Sequence, residues 1–441
     1  MEAIFEFTGG KTVVAGNECF GLQRDSTLMD QKYIASLTGD KGNGAGMHIC
    51  GYASAGYSVG GALNFNLSEV LEITDNYAAG QGGGIAFDFT AGTKLVAGTV
   101  ITAEFNGLTV KNNRAGMNGG GIYFNNTTPR EFNYAFNIHL NSGIIDGNEA
   151  PQGGGITANK VNISYSVNDK IVTVSNNRAM AGSGGGVYIS DGNISLDKVN
   201  VINNSSLFEE AGEEEIYGGG GVYVQNGSFA IQSGTISNNI SGRYGGGVFV
   251  YNADPGLDGS ISTNDIHLTG GDITQNDAPY GGGLAAYGDL NLTIQEINIA
   301  NNRAFNGGGI FLMGIADGPA RLNYQSGIIR YNRANAQNGQ TLKSAYNLDY
   351  RLISGVGGGF YVGQHAELTF SNPAKFGIYS NIAANGADDL FGSHSDVKIT
   401  LPDVRNLNLA GYEGGSIRNL FWGEDYVTND TNYDEGLKLK G

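Results

Sequence analysis

Tryptophan occurs once in this chain of 441 residues, cysteine twice and proline seven times. The two cysteines, Cys19 and Cys50, allow one disulfide at most. Both lie in the least repetitive part of the chain, where a bond would staple the N-terminal end. A pair of buried free thiols is the alternative. Basic residues are scarce too: 25 Lys and Arg face 42 Asp and Glu, for a formal charge of −17. A nucleic-acid partner, whose phosphates demand clustered cations, is excluded on that balance. No run approaches the ~20 apolar residues of a membrane-spanning helix, so no transmembrane segment is expected. The opening MEAIFEFTGG lacks the basic region and apolar run of a signal peptide.

What the chain has instead is glycine, 73 residues of it, beside 40 % hydrophobic and 10 % aromatic residues. Disordered chains lack that apolar content, and collagen needs Gly at every third position. The glycine is therefore punctuation in a folded, β-rich chain.

A repeat carries the punctuation. Ile or Val, two variable residues and Asn recur ten times, ending at Asn76, Asn113, Asn148, Asn177, Asn204, Asn239, Asn276, Asn302, Asn332 and Asn381. After most of these comes a Gly triplet leading into Ile or Val and an aromatic, as in Gly119–Gly121 with Ile122-Tyr123 and Gly307–Gly309 with Ile310-Phe311. The spacing between successive Asn runs from 26 to 49 residues. A coil of three short strands needs roughly 20–25 residues, so the shortest periods are bare coils and the longer ones carry loops. The motif puts an apolar residue inward and then turns the chain at Asn, which tolerates left-handed geometry. Stacked at strand spacing, the Asn amides form a structural ladder. The triplets suit a second corner where backbones approach closely. They are not phosphate loops, because no Lys-Ser/Thr follows and each leads into a strand.

The expected fold is all-β: a single-stranded right-handed parallel β-helix, a solenoid of about ten coils with terminal caps. Residues 1–58 read as the N-terminal cap, 59–386 as the repeat array and 387–441 as the terminating segment. At Asp388-Asp389 two acids stand where a Gly triplet is due, and charge there disfavours another stacked rung.

The paired motifs resemble the repeats of chlamydial polymorphic outer-membrane proteins, whose Gly-Gly-Ala-Leu element appears literally at Gly60–Leu63. Ile or Val stands where that family's second motif has Phe. A nearer resemblance is to adhesin-like β-helix repeat proteins of bacterial and archaeal cell surfaces. Residues Gly234-Thr-Ile-Ser-Asn-Asn239 followed by Gly245-Gly-Gly-Val-Phe-Val250 look like one such repeat. The resemblance spans roughly residues 60–425. It implies a secreted or wall-attached, extracellular protein whose leader and anchor lie outside this sequence.

The function this reading favours is a non-catalytic surface protein, an adhesin or structural module presenting a β-helix face to a glycan or to a cell-surface protein. Two alternatives stand beside it. Many β-helices of the pectin-lyase-like class cleave acidic polysaccharides, and glycoside hydrolysis needs two carboxylates facing one groove. The adjacent acids, Asp388-Asp389 and Glu424-Asp425, lie in the terminal segment, and no catalytic residue can be nominated. The other alternative is a self-assembling surface-layer or fibre subunit, since open β-helix ends permit end-to-end self-association.

Three sets of residues are candidates for binding. The position after each inward Ile or Val points outward and reads Ala86, Tyr123, Thr157, Tyr188, Tyr223, Phe249, Ala285, Phe311, Tyr361. Its six aromatics would stack into a ring-lined stripe for sugars or a protein. Aromatics also favour exposed strand positions without binding anything, and the opposite register would put them inside. Arg114, Arg178, Arg303 and Arg333 follow ladder Asn and form either an anion-binding edge or solvated turns. Finally, Glu209, Glu210, Glu213, Glu214 and Glu215 crowd one insertion, where clustered carboxylates would supply oxygens to calcium or simply repel one another in solvent. No other cofactor is implied.

Overall fold

The motif Ile-x-x-Asn dictates the coil, and a computed structural model shows how. It describes residues 3–6, 12–19, 44–50, 62–68, 71–89, 100–126, 135–164, 170–207, 216–252, 265–335, 354–371, 376–385, 387–393 and 397–400. No helix occurs among them, and every strand-to-strand pairing given for them is parallel. The chain is a parallel β-helix. It divides into two compact units, Met1–Ile194 with Lys198–Ala211, and Ser195–Asp197 with Gly212–Gly441.

One coil of the second unit shows the plan. Strand Ile310–Met313 follows a Gly triplet, Ala320–Tyr324 comes next, Gly327–Arg330 leads into the ladder Asn, and the two-residue strand Arg333–Ala334 closes the turn. In the first unit Ile156–Asn159, Asn162–Ser164, Val172–Ser175 and Arg178–Ala179 repeat it. Each strand pairs with its counterpart one coil away, so side chains of one kind stack in columns. Alternate residues enter the lumen, giving the buried–intermediate alternation of Val172–Ser175 and Val199–Ile202. Each buried Ile or Val contributes roughly 2 kcal/mol of apolar burial. Larger rings bridge the lumen of the first unit: Phe87 stacks on Phe124 at 5.0 Å and meets Phe65 edge-on at 5.5 Å.

The Asn ladder is as expected in position and buried throughout. Asn113 donates from its backbone N–H and from Nδ2 to Oδ1 of Asn148, at 2.9 and 3.0 Å. The second Nδ2 hydrogen of Asn148 goes to the carbonyl of Val110, at 3.1 Å. The apolar residue of the motif therefore supplies both a lumen side chain and an acceptor, which fixes the three-residue spacing. In the first unit the ladder runs Asn76, Asn113, Asn148, Asn177, Asn204. In the second it runs Asn239, Asn276, Asn302, Asn332, Asn381.

Three expectations need correction. The left-handed residue of the turn is not the ladder Asn but the one before it, as at Asn112 (φ 53°), Asn176 (φ 55°) and Asn301 (φ 58°). The ladder Asn keeps ordinary geometry so that its amide can point along the stack. The stretch read as an N-terminal cap holds a coil: residues 3–6, 12–15, 18–19 and 47–50 pair with 63–66, 71–74, 77–78 and 85–88. Asn17 extends the ladder, donating from Nδ2 to Asn76 at 2.9 Å. And the acidic pair does not stop the backbone. Gly359 and Phe360 donate to the carbonyls of Asp388 and Asp389, both at 2.8 Å, and Leu390–Gly392 pairs with Phe360–Val362.

The Gly triplet is where the two motifs meet. Gly119 has φ 67°, and a Cβ on Gly120 would lie 2.4 Å from the carbonyl oxygen of Glu149 in the next coil. A Cβ on Gly121 would meet Gly155 O at 2.7 Å and the amide of Asn148 at 3.0 Å. The third Gly is the lid over the Asn ladder, and no side chain fits between them.

Candidate functional site

The strand that follows each Gly triplet carries the predicted aromatic column. Its outward direction is as expected. The neighbours on either side, such as Ile122 and Phe124 around Tyr123, fill the lumen. The expectation that the column forms an exposed stripe is overturned. Tyr123, Tyr223, Phe249, Phe311 and Tyr361 are buried, Phe249 completely and Tyr361 to 6 % exposure; Tyr188 is partly exposed. Other side chains of the same outer face fold over them.

In the second unit these residues form a file of rings. Tyr223 meets Phe249 edge-on at 5.3 Å, Phe311 stacks on Tyr361 at 4.8 Å, and Tyr361 lies 5.5 Å from Phe391. Ala285 interrupts the column between Phe249 and Phe311. The gap is filled from the side: the ring of Tyr244 stacks on Phe249 at 5.0 Å and lies 6.0 Å from Phe311, leaving Ala285 fully buried. A small residue in one column thus seats a large one from the next.

Two further rows flank the file. Tyr244 and Tyr280 each precede a Gly triplet, pair across adjacent coils and stack at 5.2 Å. Tyr251 and Tyr287 lie two residues beyond the file position on paired strands, with rings 5.6 Å apart. All four are half-buried. Arg243 places its guanidinium 5.4 Å from the centre of the Tyr244 ring. Burial, with the neighbouring tyrosines second, raises the pKa of Tyr251 and Tyr287, so both hydroxyls stay protonated and able to donate. The result is a two-layer aromatic face, a buried file beneath half-open tyrosines. Sequence reading named the lower layer and missed the upper. The signal was present, since a residue two beyond another on a strand shares its face.

The first unit builds the same column differently. Tyr123, Thr157 and Tyr188 pair across coils. Burial pushes the Tyr123 hydroxyl well above the usual tyrosine range, although the Gln81 side chain bonds to it, and pushes Tyr188 up to about 12. Beside them runs a polar ladder in which Asn159 donates to Asn125 at 3.0 Å and Asn125 to Asp88 at 2.8 Å.

Three of the four arginines of the candidate anion-binding edge face a carboxylate. Arg114 and Arg178 flank Glu149 at 3.8 and 3.7 Å, and Arg303 donates to Asp277 from Nε at 2.9 Å. In the first unit Glu149 thus sits between two arginines, whereas in the second Arg303 pairs directly with Arg333, whose Nε donates to Asn335 at 2.7 Å. Exposed acid–base pairs contribute about 0–1 kcal/mol each.

The Asp388 and Asp389 carboxylates are both engaged by the turn that begins at Asn381. Asp389 accepts from Nδ2 of Asn381 at 2.8 Å and from the Asn381 backbone N–H, taking the place of the next ladder Asn. Asp388 accepts from Ala383 N at 2.6 Å. Burial raises both, Asp389 to about 7. Glu209, Glu210, Glu213, Glu214 and Glu215, the Glu424-Asp425 pair and the side chains of Cys19 and Cys50 lie outside the described residues. Among the described residues no three His, Cys, Asp or Glu are grouped as metal ligands, and no helix is long and apolar enough to cross a membrane. Comparison with protein-family models, with curated proteins and with solved structures found no match.

Proposed function

We propose that this protein is a non-catalytic extracellular surface module, an adhesin-like protein that binds its partner on the aromatic face of the second unit. The observation that carries the reading is the upper tyrosine layer. A strand face needs no four half-open tyrosines over an already filled ring file to be stable, and tyrosine rims with protonated hydroxyls are a recognition surface. The resemblance of the repeats to adhesin-like surface proteins agrees with it, as does an acidic, self-repelling surface.

A polysaccharide-active enzyme is the second reading. What favours it is a carboxylate, Asp389, held up near 7 beside a second acid, the pattern of a general acid. What weighs against it is that both carboxylates are spent on hydrogen bonds to Asn381 and to the backbone of Ala383. A glycan array run beside reducing-sugar assays separates the two. Retention of a glycan without release of reducing ends is expected. Turnover that disappears in Asp389→Asn would replace the binding role by catalysis.

A further inference from the structure

Seven Asn-Gly pairs occur in the chain, and in four of them both residues are described: Asn106-Gly107, Asn118-Gly119, Asn226-Gly227 and Asn306-Gly307. The pair has a chemistry of its own. The backbone nitrogen of the glycine attacks the side-chain carbonyl carbon of the asparagine, and ammonia leaves. Water then opens the resulting succinimide to aspartate or to isoaspartate. Water is the only reagent consumed, and no catalyst is needed. Glycine permits the attack because it has no Cβ to crowd the ring. A fold resists it by holding the glycine N–H in a hydrogen bond or by tying down the amide, since either bond must break first.

Three of the four pairs are held in this way. The N–H of Gly119 donates to the carbonyl of Gln152 at 3.0 Å, and that of Gly307 to the carbonyl of Val356 at 3.2 Å. Asn306 is buried as well, and its Oδ1 accepts from the N–H of Val356 at 3.4 Å. Asn106 stands in a row of amides, donating from Nδ2 to Asn66 and accepting from Nδ2 of Asn141, both at 2.8 Å. These bonds join one coil to the next, so they open only when the coils part.

Asn226-Gly227 is different. It forms the corner between strands Val222–Gln225 and Ser228–Ile231 of the second unit. Asn226 is half-buried and donates its backbone N–H to the carbonyl of Tyr251 at 3.0 Å. Its side-chain amide bonds to none of the described residues, and neither does the N–H of Gly227. The backbone at Asn226 is left-handed, with φ 51°. Asp191 turns a corner of the same kind in the first unit, between Val187–Ser190 and Asn193–Leu196, with φ 53° and a glycine after it. An aspartate product therefore suits this turn.

We infer that Asn226 is a site of spontaneous deamidation, a one-way modification that places a new carboxylate at the corner beside Tyr251. The aspartate form keeps the turn. The isoaspartate form lengthens the main chain by one carbon and works against the pairing of Phe229 with Ile266. The inference depends on the fold alone and stands whatever the tyrosine face binds.

The test is incubation of the intact protein in mildly alkaline buffer, with peptide mass spectrometry at intervals to follow each site. The same chain unfolded in urea supplies the unprotected rate. In the folded protein Asn226 should convert about fivefold or more faster than Asn106, Asn118 and Asn306, the ratio that one retained hydrogen bond gives. In urea the four rates should draw together. Asn226→Gln should stop conversion at this corner and leave the other three sites at their slow rates. Conversion of Asn226 no faster than theirs in the folded protein, or equal protection of all four sites by folding, would overturn the inference.

Discussion

At the scale of single residues, the most informative is Asp389, because it imitates another residue. A carboxylate oxygen takes the two donors of Asn381 that a further ladder Asn would take, so neither N–H is orphaned. Burial is the larger effect on its pKa, and raises it to about 7 against an ordinary value of 3.8. Between those values the folded protein holds a proton that the unfolded chain has lost. Stability therefore falls as pH rises from about 4 to 7, by up to about 1.4 kcal/mol for each pH unit, and levels off above 7. Asp389→Asn keeps the acceptor and cannot ionise. Urea melts should find this variant more stable than the wild type at pH 8 and close to it near pH 4. A constant difference between the two proteins at both pH values would show that ionisation of Asp389 is not what the fold resists.

Among elements, the ladder outranks the charged column beside it. Asn148 satisfies four buried partners: the N–H and Nδ2 of Asn113, the carbonyl of Val110 and Oδ1 of Asn177. Asn148→Leu removes its side chain from all four, and although Asn177 Oδ1 keeps the backbone N–H of residue 148, the other three sit in a dry turn where each unmet group costs about 1–3 kcal/mol. Arg178, one position after a ladder Asn, is half exposed and paired loosely with Glu149. Chemical denaturation should therefore show a loss of about 3 kcal/mol or more for Asn148→Leu and under about 1 kcal/mol for Arg178→Ala. Equal losses would mean that the Asn column is a by-product of stacking. The missed first coil belongs to this scale too. Val14-Ala-Gly-Asn17 fits the repeat motif, and Gly44-Ala-Gly46 is a triplet with one substitution. The long interval between them hid their connection, which only strand pairing re-established.

For the whole molecule, net charge is the property that acts at once on every residue. With −17 at neutral pH and an isoelectric point near 4.6, the protein repels itself strongly in neutral buffer and loses that protection in mild acid. Light scattering should detect reversible association in a window around pH 4.6 that added salt shifts or narrows. Protein that stays monomeric through the window would show that charge repulsion is not what keeps it apart. The same acidity is the reason a basic or neutral partner fits better than an acidic one.

Sequence alone determined the parts of this protein that repeat. A column of Asn and a column of Gly triplets can be read from spacing because each coil must present the same residue at the same corner, or the stack breaks. It left two registers open for each Gly-led strand, and the lumen packing of residues such as Ile122 and Phe124 chose between them. The tertiary structure alone also decided what lies above the outward residue. Tyr244 reaches the ring file from another column, across a gap that Ala285 creates one coil away, and nothing in the local sequence of either residue announces the contact. The burial of Phe249 and Phe311 in the predicted stripe follows in part from that reach. Period fixes alternation, but direction and burial depend on neighbours distant in the chain, and those meet only when the coils stack.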